Sequence, residues 1–375
     1  MARLLRNLKF LGFTGLVCFI LLELGLAIAA YGFDLKIETP TYTFENTQGF
    51  WFDLNPDFGT CHLPNHSYRQ RKGCYDIVYH SNSYGFRDVE RERFANQSRV
   101  VVLGDSFIEG VGVETSERLT NLLEDNTGKP HLNFGMAGNF GPTQFMLAYQ
   151  SLASSFEHDA VLIGILPAND FIDDDYELGH QGMANRYRPY LVGEYPNYEL
   201  VYFQDSLHKS GVPGPKSKPL KQVAKNFTYS YNSWLYFRTL LRQATVARDE
   251  VLTYEQLPGY FNYTEAQLNR VKYALAEIKK LAKDRKVMVF TIPTLQDLAA
   301  ISSQHENTLA RELGSFCTEH DIAYLDLLNA TLFTRESTTY TQADLDAQFL
   351  SCDGHWSAQG NEFAAERILE EFYEK

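Results

Sequence analysis

Hydrophobic residues in this chain fall into two patterns. Five short runs are mainly apolar: Arg99–Leu103, His131–Phe134, Ala160–Leu166, Lys286–Pro293 and Ala323–Leu328. Runs of this length, rich in aliphatic residues and bounded by turn-forming residues, predict strands buried on both faces of a parallel sheet. Between them the spacing predicts helices near Thr115–Asp125, Thr143–Ser154, Thr264–Lys283, Gln304–His320 and Ser357–Glu374. In Thr264–Lys283 the apolar stripe is Leu268, Val271, Leu275, Ile278 and Leu281, a core face rather than a binding face. Strands alternating with helices predict an α/β fold, a doubly wound parallel sheet of about five strands with right-handed crossovers.

Three stretches depart from that alternation. Phe10–Tyr31 is an almost uninterrupted apolar segment of 22 residues, about 33 Å long as a helix and enough to cross a bilayer core. Arg3, Arg6 and Lys9 precede it, so the positive-inside rule puts the N-terminus in the cytoplasm and the remainder across the membrane. Ala27-Ile28-Ala29 resembles a signal-peptide cleavage site, but the run is long for a signal sequence and an uncleaved anchor is expected. Glu23 lies inside the span, where a charge is costly; it either pairs with a partner helix or is tolerated near the helix end. Residues 33–97 are rich in aromatics, Asn, Pro and Gly and read as an irregular, partly β extension. Residues 171–262 form a long insertion into the domain that spans 98–375. It holds Asp173-Asp174-Asp175, the Val212–Lys221 loop and Tyr187, Tyr190, Tyr195, Tyr198 and Tyr202. The tyrosines suit sugar stacking, although packing within a subdomain is the commoner use. The acid cluster could hold a cation, although a solvated loop is the plainer expectation.

The chemistry lies at the strand ends. Val100-Val101-Val102-Leu103 runs directly into Gly104-Asp105-Ser106, which places Ser106 beyond the carboxyl end of a central strand, where open α/β sheets bind ligands. A serine at a helix start is often only a cap. As a nucleophile it needs a base to take its proton. Asp353-Gly354-His355-Trp356-Ser357 supplies a candidate in the loop before the last helix. Asn133-Phe134-Gly135-Met136-Ala137-Gly138-Asn139 and Pro167-Ala168-Asn169-Asp170 follow two further strands.

These four blocks, in this order, resemble the SGNH (GDSL) hydrolase superfamily, and in particular membrane-anchored bacterial members associated with polysaccharide acylation. The resemblance covers roughly residues 98 to 170 and 286 to 375. It implies a three-layer, flavodoxin-like sheet, with Ser106 as nucleophile, His355 as base and Asp353 as its orienter. It also implies an oxyanion hole from the backbone N–H groups of Ser106 and Gly138 and the side-chain amide of Asn169. Two blocks depart from the commoner family pattern. Asp353 stands two residues before the histidine rather than three, where Cys352 lies, and Pro167 replaces the usual glycine before Asn169. Asp105 is expected to shape its turn and Asp170 to brace the Asn169 loop. Asn82–Asp88 also resembles a segment of the anchored relatives, with Arg87 and Asp88 read as a structural ion pair.

Composition narrows the function. Hydrophobic content of 44% with 14% aromatic residues is that of a globular chain. A net charge of −13 argues against nucleic acid, which needs a basic face. No zinc-type Cys/His spacing and no phosphate loop stand in the sequence, so no metal and no cofactor are expected. The expected partners are the membrane and an ester-bearing small molecule or glycan. Three activities share this constellation: a serine esterase acting on O-acyl groups of a carbohydrate, an O-acyltransferase of an exported polysaccharide, and a non-catalytic polysaccharide-binding protein. Export would allow disulfides among the five cysteines. Cys61–Cys74 is the more local bridge and the expected one, with buried thiols as the alternative.

Overall fold

The computed structural model describes residues 2–33, 35–43, 53–177, 188–202, 219–246, 258–302, 307–333 and 342–374. An apolar helix, Ala2–Gly32, opens the chain and is almost wholly exposed along its length. It fits a membrane anchor or a signal sequence by length and composition.

Residues 53–80 form two antiparallel hairpins. The first joins β1 (Asp53–Asn55) to β2 (Gly59–Cys61), and the second joins β3 (Ser67–Lys72) to β4 (Tyr75–His80). In β4, burial alternates strictly, with Tyr75, Ile77 and Tyr79 facing inward, as a strand with one covered face requires. The central sheet contains β5 (Val100–Gly104), β6 (His131–Gly135) and β7 (Ala160–Ile165). A third hairpin, β8 (Pro189–Glu194) with β9 (Asn197–Tyr202), lies in the insertion. The sheet is completed by β10 (Lys286–Thr291) and β11 (Ala323–Asp326).

All four pairings in the sheet are parallel, in the order β11-β10-β7-β5-β6. This is the flavodoxin-like arrangement, whose reversal of direction falls between β5 and β7. β5, β6 and β7 are buried at every position, which explains why β5 and β7 read as continuous apolar runs, while β6 buries His131 and Asn133 with its apolar residues. Right-handed crossovers send the helices to both faces. Pro142–Ser151 packs against Glu265–Ala282, and Leu119–Thr127 packs against Ala358–Ile368. In Glu265–Ala282 the stripe of Leu268, Val271, Leu275 and Ile278 is fully buried, and Thr264 with Gln267 closes the helix start as a capping box.

The differences from the sequence reading are local. The expected helix Thr115–Asp125 is a 3₁₀ turn followed, after Arg118, by Leu119–Thr127, and the last helix widens into a π turn at Leu369–Tyr373. Pro167 does not merely alter a loop. It occupies the first turn of a helix, Pro167–Asp173, where its missing N–H costs nothing. The disulfide joins Cys74 to Cys352, not to Cys61. Cys61 and Cys317 lie buried outside that bridge, and burial pushes the Cys317 thiol up to about 12. Tertiary packing of the second hairpin against the C-terminal loop outweighs the local closure that the spacing suggested.

The bridge spans a sequence separation of 278 residues. Replacing both cysteines by serine should lower stability by about 2–5 kcal/mol. The check is urea unfolding of the full chain in detergent micelles. An unchanged midpoint would show that packing alone holds the hairpin.

Candidate active site

β5 ends at Gly104, and Asp105 turns the chain into the short helix Ser106–Glu109. Asp105 caps that helix through its Oδ1, which accepts from the Phe107 N–H at 2.9 Å. Ser106 is therefore not the cap. It stands half-buried at the first helical position with its hydroxyl uncommitted to the backbone turn.

The histidine comes from the other end of the chain. Leu350 N donates to the His355 carbonyl at 2.7 Å and Phe349 bridges Trp356, which fixes the loop against the domain. The Trp356 ring meets Phe107 edge-on at 5.1 Å, and Phe107 lies 4.9 Å from the imidazole. Gly354 has φ +89°, a left-handed conformation open to glycine. That reversal turns Asp353 and His355 toward each other although one residue separates them. Asp353 Oδ1 accepts from His355 Nδ1 in a very short contact. His355 Nε2 lies 2.8 Å from Ser106 Oγ across 249 residues of sequence. An ionised Asp353 can only accept, so Nδ1 carries the proton and Nε2 is left to accept from the serine hydroxyl. A serine, imidazole and carboxylate so connected can generate an alkoxide-like nucleophile.

The second oxygen of Asp353 is held by residues that the sequence reading did not single out. Lys72, at the end of β3, pairs with Asp353 Oδ2, and Tyr75 OH donates to the same oxygen at 3.3 Å. Burial pushes the Asp353 carboxyl up, but the His355 hydrogen bond and charge, with Lys72, outweigh it and hold the group well below the carboxylate range. The signal in the sequence was the cysteine pair. Cys74 is two residues from Lys72 and Cys352 adjoins Asp353, so joining them brings the lysine to the site.

Ser106, Asp353, His355, Gly138 and Asn169 all border one cavity of about 580 Å³. Glu38, Gln70 and Lys72 form a further wall from the N-terminal extension. Gly138 has φ +104°, which lets the β6 loop bring its backbone to the cavity. The preceding Ala137 N–H donates to Glu109, whose carboxylate also bonds His62 Nε2 at 2.9 Å, both side chains fully buried. Asn169 stands in the first turn of its helix and borders the cavity. Asp170 Oδ2 accepts from Leu166 N at 2.8 Å and braces that turn. Burial pushes Asp105 up to about 6, and burial with the neighbouring Asp105 charge pushes Asp170 well above its ordinary value.

Other candidates find different places. The acid cluster is not a solvated loop. Asp173 pairs with Arg188 at 3.1 Å and accepts from Asn139, Asp174 accepts from Thr143 N and Oγ1, and Asp175 pairs with Arg270. No group of residues suited to a metal ion occurs among the described residues. Arg87 and Asp88 do not pair with each other. Arg87 donates to the carbonyls of Gly110 and Val113 and lies over the Tyr79 ring, while Asp88 pairs with Arg91 and Arg118. Tyr190, Tyr195, Tyr198 and Tyr202 do not border the cavity. Tyr190 is buried, and Tyr198 packs edge-on against Tyr273. Tyr187 and residues 212–218 of the expected Val212–Lys221 loop lie outside the described residues.

The four sequence blocks thus meet at the carboxyl edge of the sheet in one cavity. Serine, histidine and aspartate stand there as a hydrogen-bonded triad. No protein-family model matches the chain, and no curated protein matches it either. Among solved structures, the chain is similar to a lipase/acylhydrolase from Enterococcus faecalis at 14% identity, covering 73% of this chain and 94% of that one, with TM-score 0.38. It is similar to an acetylxylan esterase from Geobacillus stearothermophilus at 13% identity, covering 75% and 96%, with TM-score 0.36. It is also similar to an extracellular lipase from Streptomyces rimosus at 16% identity, covering 73% and 100%, with TM-score 0.37. Likeness this distant says nothing about what this chain acts on.

Two outcomes follow from the charges. Lys72→Met lets the Asp353 carboxyl rise back toward its ordinary value. The acid limb of turnover should move to higher pH and kcat should fall about tenfold, as for loss of a group acting in the transition state. An unchanged pH profile would show that Lys72 only lines the wall. Asp105 binds its proton more tightly folded than unfolded, so its ionisation destabilises the fold as pH rises from about 4 to about 6. Asp105→Asn removes that loss while keeping a cap. The Tm of the variant relative to the parent should therefore increase across that window, and a difference constant with pH would count against it.

Proposed function

We propose that this protein is a serine acyl hydrolase that cleaves ester bonds through an acyl-enzyme on Ser106. The observation that carries the reading is the 2.8 Å contact of His355 Nε2 with Ser106 Oγ, with Asp353 on the far side of the ring. The hydroxyl gives its proton to Nε2 as Oγ attacks the ester carbonyl. Negative charge collects on the former carbonyl oxygen, and the backbone N–H groups of Ser106 and Gly138 with the Asn169 amide receive it. The imidazolium, steadied by Asp353, returns the proton to the leaving alcohol. Water then enters, and the same histidine activates it to release the acid.

The preferred substrates are O-acyl groups on a carbohydrate. An open cavity of about 580 Å³ with Gln70, Lys72, Asn139, Asn169 and Thr294 on its walls suits a polar, ester-bearing unit rather than a long acyl chain. The Phe10–Tyr31 segment holds the domain on the non-cytoplasmic side of the membrane, with Arg3, Arg6 and Lys9 inside.

Hydrolysis of p-nitrophenyl acetate by the full chain should be abolished by Ser106→Ala. Asp353→Asn should fold normally and lower kcat by roughly 10⁴-fold through the wrong imidazole tautomer. His355→Ala should cost as much as Ser106→Ala without adding to it. Near-normal turnover in Asp353→Asn would demote the aspartate to a loop residue. Mass spectrometry of an acetylated glycan should show net loss of acetyl groups. A gain of acyl groups on an unmodified glycan supplied with a donor would make the protein a transferase instead.

A further inference from the structure

The helix Tyr229–Val246 starts on a residue of the apolar N-terminal helix. Glu23 Oε2 accepts from the Tyr229 N–H at 2.6 Å, and Oε1 accepts from the Ser230 N–H at 3.0 Å. Two of the donors that a helix start leaves unpaired are thereby satisfied, and a carboxylate sits at the positive end of the dipole. The two helices pack along one another beyond that cap. A carboxylate inside an apolar span is tolerated where it has such a partner.

The cap also sets a depth. Glu23 precedes Gly32, the last residue of its helix, by nine residues, about 13 Å along the axis. A bilayer that takes up the apolar helix must therefore reach the start of Tyr229–Val246 as well. The outer face of that second helix suits such a place. Trp234, Phe237 and Leu241 stand at i, i+3 and i+7 with 51%, 52% and 66% of their surface exposed. The Arg238 guanidinium lies 4.7 Å from the centre of the Trp234 ring. Aromatic and aliphatic side chains with an arginine among them form the face of a helix lying in a membrane interface. The adjoining helix Pro219–Phe227 exposes Leu220 and Val223 in the same way.

We propose that Tyr229–Val246 lies in the outer leaflet beside the anchor as a second, amphipathic attachment to lipid. The proposal rests on the reading of Phe10–Tyr31 as a retained anchor, and it gives part of the insertion 171–262 a task. The attachment continues to the cavity. Lys225, in the adjoining helix, pairs with Glu38 at 2.8 Å, Glu38 accepts from Tyr68 of β3 at 3.1 Å, and Glu38 is itself part of the cavity wall. The lipid-facing helix pair therefore fixes the height at which the site stands above the bilayer.

The test uses the full chain in vesicles of phosphatidylcholine brominated on its acyl chain near the glycerol, against the unbrominated lipid. The chain has three tryptophans, so contact of Trp234 with bromine should remove roughly a third of the emission. That quenchable part should vanish in Trp234→Phe. Alkaline carbonate extraction of the same vesicles reports on the anchor separately. Protein retained by the vesicles and quenched through Trp234 supports the proposal. Protein retained with Trp234 emission untouched overturns it and gives the face to a protein partner. Protein stripped by carbonate overturns the anchor reading, and the outer-leaflet placement with it.

Discussion

Asp353 has to stay ionised where water barely reaches it. Its side chain is 4% exposed, and a carboxylate so buried keeps its charge only against matching donors and cations. Lys72 provides the charge, the His355 Nδ1–H donates a hydrogen bond to Oδ1, and Tyr75 adds one to the same oxygen as Lys72. These partners come from the C-terminal loop and from the β3–β4 hairpin, 281 residues away from Asp353 in the case of Lys72. The site therefore requires that the N-terminal extension be folded and docked. The Cys74–Cys352 bridge fastens the two pieces one and two residues from the charges that need each other. Removing one partner of a buried charge pair costs about 3–5 kcal/mol.

The sheet supplies the rest of the geometry. Because β5 and β7 are neighbours at the point where the winding reverses, Ser106 and Asn169 emerge side by side. Asp105 caps the serine's helix with one oxygen, and Asp170 braces the turn that carries Asn169. The β6 loop is held from below by the buried Glu109–His62 pair. Each group facing the cavity thus has a supporting group behind it, which is what a preorganised site needs.

Strands, helices and the serine and histidine blocks were legible because each is a local signal. β5 and β7 are buried throughout, so their sequences carry unbroken apolar runs, and Gly104-Asp105-Ser106 and Asp353-Gly354-His355 are short linear patterns at element ends. What was not legible depends on pairing between distant segments. Lys72 is one lysine among several charged residues in a hairpin, and only the pairing of Cys74 with Cys352, which the spacing did not reveal, points from it to Asp353. The cysteine expectation failed for the same reason, since a short loop is cheaper to close but only the docked hairpin decides which sulfurs meet. Asp173 and Asp174 read as solvated acids because Arg188 and Thr143, their partners, lie elsewhere in the chain. Glu23 left two readings open, a partner helix or a charge tolerated near the helix end, and only the start of Tyr229–Val246 beside it decides for the first.

The central claim is that Ser106 is made nucleophilic by His355 and that His355 is held by an ionised Asp353. The most direct measurement is peptide mass spectrometry after exposure of the full chain to a fluorophosphonate, which reacts only with an activated serine hydroxyl. The account predicts a single phosphonyl adduct on the peptide containing Ser106, absent from His355→Ala and strongly slowed in Asp353→Asn. A folded protein that takes up no label at Ser106, or labels equally well without His355, would contradict it.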